Sequence, residues 1–201
     1  MDWKAESAAL RKKRGIDYEP LEPFVQGPTV ERSIWYEGQM ATVYARGAEV
    51  GQTCCFWEGV IPEHVGPPPH VHHYEHEVFF LRDGSITAYV EGEPLKATKD
   101  QLVFMPAGRI HWFVSTSPVT RMFGFTVTAA KQFPYVNDAP ALFEMIGVPA
   151  QALTLPPTIE VKPMPEPAEI VRMTRDMGAD MPDLERLGWR RNYNDKGEKV
   201  T

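Results

Sequence analysis

The stretch HVGPPPHVHHYEHE, residues 64–77, contains five of the six histidines in the 201-residue chain. His70 and His72 are separated by one residue, so alternation along a β-strand would place both imidazoles on the same face. Glu77 follows on that strand or its bend, and the sixth histidine, His111, would come from another strand. These side chains can therefore converge on one point inside a β-structure.

The chemistry of this group predicts a site for one divalent transition metal. Three imidazole nitrogens and one carboxylate suit iron, manganese, nickel, cobalt or copper, and zinc also fits. Calcium and magnesium are disfavoured because they prefer oxygen ligands. Glu75 is the nearest alternative carboxylate and is predicted, with His76, to lie in the bend before Glu77. His64, His73 and His76 are predicted to be ordinary surface residues or hydrogen-bonded core residues. The predicted ligands are His70, His72, Glu77 and His111.

Two motifs around these residues resemble those of the cupin superfamily. The pattern His70-x-His72-x4-Glu77-x6-Gly84 is similar to the first motif, and residues 106–111, PAGRIH, are similar to the second. The resemblance implies a small β-barrel in which both motifs contribute ligands to one metal. Its spacing selects Glu77 rather than Glu75 as the carboxylate ligand.

Three positions depart from the cupin motifs. His64 and Asp100 stand where the two motifs usually open with glycine, and Ser115 replaces the asparagine that closes the second motif. None of the three is a predicted ligand, and aspartate tolerates the left-handed backbone that a turn glycine would supply. The departures therefore concern turn geometry and leave the predicted metal site intact.

The pattern of the whole chain predicts an all-β sandwich or barrel with an N-terminal helical arm and a helical C-terminal tail. The resemblance implies that this is a single cupin jelly-roll β-barrel. We expect the arm at residues 1–30, the barrel at 31–132, and a proline-rich tail packed on the barrel at 133–201. Helices are predicted at residues 2–14, 139–146 and 167–177. Strands are predicted at residues 33–37, 40–45, 51–58, 70–72, 78–81, 85–90, 102–105, 111–115 and 121–128.

The same alternation predicts a cavity with aromatic walls. An inward Glu77 brings Phe79 to the same face, and an inward His111 brings Phe113, with Phe125 expected nearby. No cluster of arginines is predicted there, so such a wall fits a flat aromatic ligand better than a sugar phosphate.

Composition restricts the possible partners. The net charge of -6 and the pI near 5.5 give no electrostatic reason to bind nucleic acid. The chain has no apolar run of membrane-spanning length and does not open with a signal-peptide pattern, so we expect a cytoplasmic protein without membrane contact. Phe80 and Trp112 are predicted to point outward and would need cover, which favours a homodimer.

Residues 68–80 resemble most the quercetinase-type cupin dioxygenases, which cleave the central ring of flavonols with dioxygen. The resemblance implies that Glu77 is both a metal ligand and the catalytic base. The predicted function is therefore a mononuclear-metal dioxygenase that cleaves an enolisable aromatic or flavonol-like substrate with O2. Two alternatives are a non-oxidative metal-dependent isomerase, cyclase or lyase, and a non-catalytic ligand-binding or sensor protein.

Overall fold

A computed structural model describes residues 2–129, 137–157, 172, 174–175 and 177–187, and within them the chain is mostly β. Two short 3-10 helices, Val30–Arg32 and Gly47–Val50, lie among the strands. The helices and strands are α1 (Trp3–Lys13), β1 (Ser33–Tyr36), β2 (Gln39–Ala45), β3 (Cys54–Pro62), β4 (Val71–His72), β5 (Glu75–Asp83), β6 (Ser85–Val90), β7 (Glu93–Thr98), β8 (Leu102–Met105), β9 (His111–Ser115), β10 (Val119–Thr128), α2 (Ala139–Ile146), β11 (Val148–Pro149) and β12 (Ala179–Asp180).

The strands form two facing sheets with one core between them. The larger sheet has the order β11-β1-β2-β3-β10-β5-β8, the smaller has the order β7-β6-β9, and β12 pairs with β4 separately. Core side chains come from both sheets, as in the edge-to-face contact of Phe79 with Phe113. The predicted all-β jelly-roll is confirmed. Among the described strands, however, the two sheets stay separate and do not close into one hydrogen-bonded ring, which corrects the expectation of a closed barrel.

Alternation along β5 determines which side chains face the core. Glu77, Phe79 and Leu81 are buried, whereas Val78 and Phe80 between them are only partly covered. On β9 the same alternation buries His111, Phe113 and Ser115 and turns Trp112 outward, where its ring stacks on Tyr89. The predicted inward and outward faces of both strands are therefore correct.

The two positions that lack the expected motif glycines adopt the backbone conformation that glycine favours. His64 has a φ of 67° and Asp100 a φ of 65°. The backbone N–H of Asp100 donates to the carbonyl of Leu81 at 2.8 Å, and that of His64 donates to the carbonyl of Ser115 at 2.9 Å. These hydrogen bonds connect both turns to strands that enclose the core, so the turn geometry survives without glycine.

Three strand predictions need correction. β3 extends to Pro62, beyond the predicted end at residue 58, and β5 begins at Glu75, which was predicted to lie in a bend. β7 was not predicted because only Ala97 of its six residues is buried, so it carries no alternating apolar pattern. Its Pro94 is tolerated because β7 is an edge strand of the smaller sheet.

The two described helices agree closely with the sequence predictions. The Asp2 side chain caps α1 by accepting hydrogen bonds from the backbone N–H groups of Lys4 and Ala5 at 3.0 and 3.1 Å. The bounds of α2 are the predicted ones. The helix predicted at residues 167–177 lies mostly outside the described residues, as do residues 188–201 of the predicted tail.

Candidate metal centre

Two sheets and one short strand bring the predicted ligands together. His70 and His111 form an antiparallel bridge in which each backbone N–H donates to the other residue's carbonyl, at 3.0 and 2.8 Å. His72 ends β4, and Glu77 lies on the inner face of β5. One ligand atom from each of these four residues lies within 4.8 Å of the others.

Hydrogen bonds to backbone carbonyls orient two of the imidazoles. Nδ1 of His70 lies 2.8 Å from the carbonyl oxygen of Pro68, and Nδ1 of His111 lies 2.8 Å from that of Arg109. A carbonyl oxygen can only accept, so each Nδ1 carries the proton and donates. Nε2 of both rings therefore keeps a lone pair for a metal ion.

Unpaired buried atoms show that this group fits a cation. Nε2 of His111 has no hydrogen-bond partner and lies 3.3 Å from Oε2 of Glu77, and Nδ1 of His72 is also buried without a partner. Buried polar atoms without partners are costly, and a bound cation removes that cost at His111. Three imidazoles and a carboxylate are the donor set of a divalent transition metal, so these four residues could hold one.

The protonation states of His70, His72 and Glu77 also suit metal binding. Burial lowers the pKa of His72 to about 3, and burial together with the charge of His111 lowers the pKa of His70. Burial alone would raise the pKa of Glu77, but its interaction with His111 and the other imidazoles holds that pKa well below its usual range. Neutral imidazoles and an ionised carboxylate are the forms that bind metals.

Glu75 belongs to the same site, which corrects its predicted position in a bend. It lies two residues before Glu77 on the inner face of β5, and only 3% of its surface is exposed. Its Oε2 has no hydrogen-bond partner and lies 3.7 Å from Nδ1 of His72. Burial and the charge of Glu77 raise the pKa of Glu75 to about 8. The signal in the sequence was the spacing of two residues, which places both carboxylates on one face of a strand.

A mostly apolar cavity of about 390 Å³ opens onto the candidate metal centre. Phe79 and Phe113 line it, as predicted, with ring centroids 5.0 Å apart in an edge-to-face arrangement. None of the described residues that line it is arginine or lysine. Other apolar lining residues are Tyr36, Trp57, Ile61, Met122, Leu142 and Phe143.

Phe125 does not line this cavity, and its predicted role is corrected. The residue lies on the opposite face of β10 and stacks on Phe56, with ring centroids 5.2 Å apart. Its neighbour Gly124 occupies the inner face, where a Cβ would lie 2.5 Å from the ring of Trp57. The Trp57 ring therefore takes the space that an inward side chain from this part of β10 would need.

The C-terminal segment, which was predicted to pack on the barrel, contributes a wall of the cavity. β12 pairs with β4, and the backbone N–H of His73 donates to the carbonyl of Gly178 at 2.8 Å. Met177, Met181 and Leu184 from this segment line the cavity. The contact could not be found from local pattern, because β12 has only two residues and lies far from β4 in the sequence.

The other histidines have ordinary partners, as predicted. His73 pairs through Nε2 with Oδ2 of Asp180 at 2.9 Å on the surface. Nδ1 of His76 accepts a hydrogen bond from the backbone N–H of Ala107 at 3.0 Å. This bond joins the outer face of β5 to the turn that precedes His111.

The arrangement is matched by a known protein family. Residues 56–124 of the chain match the family model described as Cupin domain. Over that segment the chain is similar to cupin domains. The matched segment runs from β3 to β10 and includes all four candidate ligands.

The solved structures that are similar to this chain share little sequence with it. The cupin domain of Cnp3 from Schizosaccharomyces pombe is 12% identical, with 47% of this chain and 67% of that chain covered and a TM-score of 0.43. KdgF from a Halomonas species is 14% identical, with 59% and 91% covered and a TM-score of 0.41. A predicted oxalate decarboxylase from Thermotoga maritima is 13% identical, with 55% and 99% covered and a TM-score of 0.44. No curated protein sequence gives a significant match to the chain.

No helix among the described residues is both long enough and apolar enough to cross a bilayer.

Proposed function

We propose that this chain is a mononuclear-metal cupin dioxygenase that cleaves an enolisable aromatic or flavonol-like substrate with O2. One observation carries the proposal: an apolar cavity of about 390 Å³ ends at three imidazoles and a carboxylate. The cavity gives a flat organic molecule a place to bind, and the cluster lies where its reacting group would be.

The imidazoles and Glu77 would have different roles in the proposed reaction. A bound iron, manganese, nickel, cobalt or copper ion would lower the pKa of a substrate enol or phenol and supply redox chemistry toward dioxygen. His70, His72 and His111 would hold that ion, with two of the imidazoles oriented by the carbonyls of Pro68 and Arg109. Glu77 is ionised and can accept the proton that the substrate hydroxyl loses.

The walls of the cavity favour an uncharged, planar substrate. Phe79 and Phe113 offer ring edges and faces to an aromatic group. The absence of arginine and lysine from the described lining disfavours phosphate and carboxylate groups on the part of the substrate that lies away from the candidate metal ligands. Exclusion of water by Phe79, Phe113 and the Met181 segment would keep a reactive carbanion from being protonated by solvent.

The decisive experiment compares turnover in air with turnover under strict anaerobiosis. Purified protein of measured metal content is offered a panel of flavonols, diketones and hydroxylated aromatics, and loss of substrate is followed together with oxygen uptake. We expect turnover only in air, with one metal per chain. Turnover that is unimpaired without oxygen would rule out the dioxygenase.

A second candidate is supported by the pair of carboxylates. Glu75, with a pKa of about 8, is protonated at neutral pH, whereas Glu77 is ionised, and both line the same cavity. Such a pair can donate a proton at one atom of a substrate and accept one at another, which is the chemistry of an isomerase or lyase. Oxygen-independent turnover that is lost in both Glu75→Gln and Glu77→Gln would favour this function.

A further inference from the structure

The cavity has a second polar end, at the hairpin that joins β1 to β2. Glu37 and Gln39 line the cavity there, and 9% and 3% of their surfaces are exposed. Gln39 pairs with Tyr36 across the hairpin, and the ring of Tyr36 stacks on that of Phe143, which also lines the cavity. Side chains of directly paired residues lie on the same face of a sheet, so the Gln39 side chain points into the cavity.

This polar end is well separated from the candidate metal ligands. Met40, near the start of β2, pairs with Val60 of β3. Glu77 pairs with Thr126, which in turn pairs with Cys55 of β3. The two levels are therefore five residues apart along β3, which is about 17 Å at the rise of a strand. A planar molecule of three rings, with a metal–oxygen bond at one end and a hydrogen bond at the other, is of about that length.

The buried amide of Gln39 is not used by the fold. Within the described part of the chain, the Gln39 side chain forms no hydrogen bond. Ala41, two residues further along the same face, and Ile61 of β3 are apolar and buried in the core. A buried amide without a partner lowers the stability of the folded state, so its presence in an apolar wall indicates that it binds a group in the cavity.

The turn that carries Glu37 departs from the residue types that favour its backbone. The two-residue loop Glu37-Gly38 has φ values of 47° and 76°, and positive values at both positions define a type I′ turn. Asparagine before glycine is the preferred pair in such a turn, and a positive φ is unfavourable for glutamate. Asparagine at residue 37 would therefore suit the turn better. Glutamate instead places a longer side chain with a carboxylate against the cavity.

The hairpin between β6 and β7 provides a matched comparison. Its loop, Glu91-Gly92, has φ values of 53° and 89°, so the two hairpins share their loop residues and the sign of both φ angles. Glu91 lies on the surface, where its carboxylate pairs with Arg109. Glu37 differs from Glu91 in its position, because it lines an apolar cavity. Comparison of the two glutamates therefore separates an effect on the turn from an effect on the cavity.

We propose that Gln39 and Glu37 determine substrate specificity by binding a hydroxyl group at the end of the substrate that lies away from the metal. The carboxylate of Glu37 accepts a hydrogen bond from the hydroxyl, and the amide of Gln39 donates one to the hydroxyl oxygen. An analogue without the hydroxyl leaves these buried groups unpaired and is rejected. This inference rests on the proposed function and narrows its substrate to a phenol whose hydroxyl lies on the ring remote from the reacting enol.

Calorimetric binding to zinc-loaded protein under nitrogen tests the proposal without turnover. The probes are unsubstituted flavonol and two derivatives, one with a single hydroxyl at the far end of the fused ring and one with a single hydroxyl at the far end of the phenyl ring. We expect one derivative to bind about tenfold more tightly than unsubstituted flavonol, because it gains a hydrogen bond to a charged group. Equal dissociation constants for all three probes, or no binding of any of them, would overturn the proposal.

Substitutions at the hairpin assign the preference to these two residues. Gln39→Leu should reduce the preference to about twofold or less and should raise the thermal midpoint, because it removes a buried amide without a partner. Glu37→Asn should also reduce the preference, although asparagine suits the turn. Glu91→Asn is the control and should keep the wild-type preference. A preference that persists in both Gln39→Leu and Glu37→Asn would overturn the assignment.

The binding test is independent of the oxygen chemistry. A hydroxyl preference without oxygen-dependent turnover would support the role of Gln39 and Glu37 and contradict only the dioxygenase. Oxygen-dependent turnover with equal binding of the three probes would support the dioxygenase and contradict only the role of the hairpin.

Discussion

The inner and outer faces of β5 differ in what surrounds their side chains, although they alternate along one nine-residue strand. On the inner face, Glu75 and Glu77 are buried among imidazoles and apolar groups. On the outer face, Phe80 and Arg82 remain partly or largely exposed. The inner face can therefore perturb the pKa of charged groups and use them, whereas the outer face leaves its aromatic and charged side chains partly in contact with solvent.

Buried carboxylates on the two faces are stabilised in different ways. Glu58, on the outer face of β3, is 4% exposed but receives hydrogen bonds from Arg82, Arg121 and Tyr44. Glu75, at 3% exposure on the inner face, has one oxygen without any partner. A buried carboxylate that is fully paired indicates structure, whereas one that is left unpaired indicates a site.

Removing an inner imidazole should have the largest effect. The variant His111→Ala is expected to lose its bound metal. Removal of one imidazole should weaken the free energy of metal binding by several kcal/mol, since structural metal binding totals on the order of 10 kcal/mol or more. His76→Ala, on the outer face of β5, is the matched control and should retain full occupancy. Elemental analysis of the purified variants decides this. Full occupancy in both His111→Ala and His72→Ala would show that the ligand assignment is wrong.

The next largest effect is expected from removing the proposed catalytic base, Glu77. Glu77→Gln keeps the shape and an oxygen ligand but cannot accept a proton, so turnover should fall on the order of 10²- to 10⁴-fold. Glu75→Gln on the same face is the comparison and should keep most of the dioxygenase activity. Initial rates are compared at equal metal content. An active Glu77→Gln with its metal, beside an inactive Glu75→Gln, would assign the base to the other carboxylate.

The unpaired inner carboxylate should also make stability depend on pH. In metal-free protein the pKa of Glu75 is raised from 4.5 to about 8, so the folded state keeps a proton that the unfolded state loses in that window. Stability contributed by this group is therefore present below pH 4.5 and is lost as the pH rises toward 8. Glu75→Gln should raise the urea midpoint at pH 9 and change it little at pH 4. Equal midpoints for variant and wild type at pH 9 would contradict this.

The smallest effect is expected from removing an aromatic side chain that lines the cavity. Phe113→Ala should weaken substrate binding a few-fold to tenfold, since aromatic pairs contribute about 0.5–1.5 kcal/mol beyond area burial. Phe125→Ala, the same substitution on the outer face, should leave substrate affinity unchanged. Dissociation constants are measured on folded protein with equal metal content. Equal losses in both variants would mean that the inner face does not select the substrate.

Three of the four candidate ligands could be derived from local spacing, and the fourth, His111, came from the second motif. His70, His72 and Glu77 lie within eight consecutive residues, so strand alternation and the motif spacing relate them directly. The same holds for the inner faces of β5 and β9, since a period of two is visible wherever one side of a strand is buried. The cap of α1 by Asp2 was equally local.

Other features of the structure depend on contacts between segments that are distant in the sequence. Phe125 faces outward because the register of β10 pairs it with Val78 of β5 and Phe56 of β3 on the outer face. The sequence did not predict β7, because a strand with one buried residue has no alternating apolar pattern. It did not predict β12 either, which reaches the cavity through a two-residue pairing with β4. Burial of Glu75 likewise depends on the sheets that enclose it. Alternation and spacing depend on residues that are neighbours along the chain. The orientation of Phe125, the position of β12 and the burial of Glu75 depend on contacts between distant segments, which only tertiary packing determines.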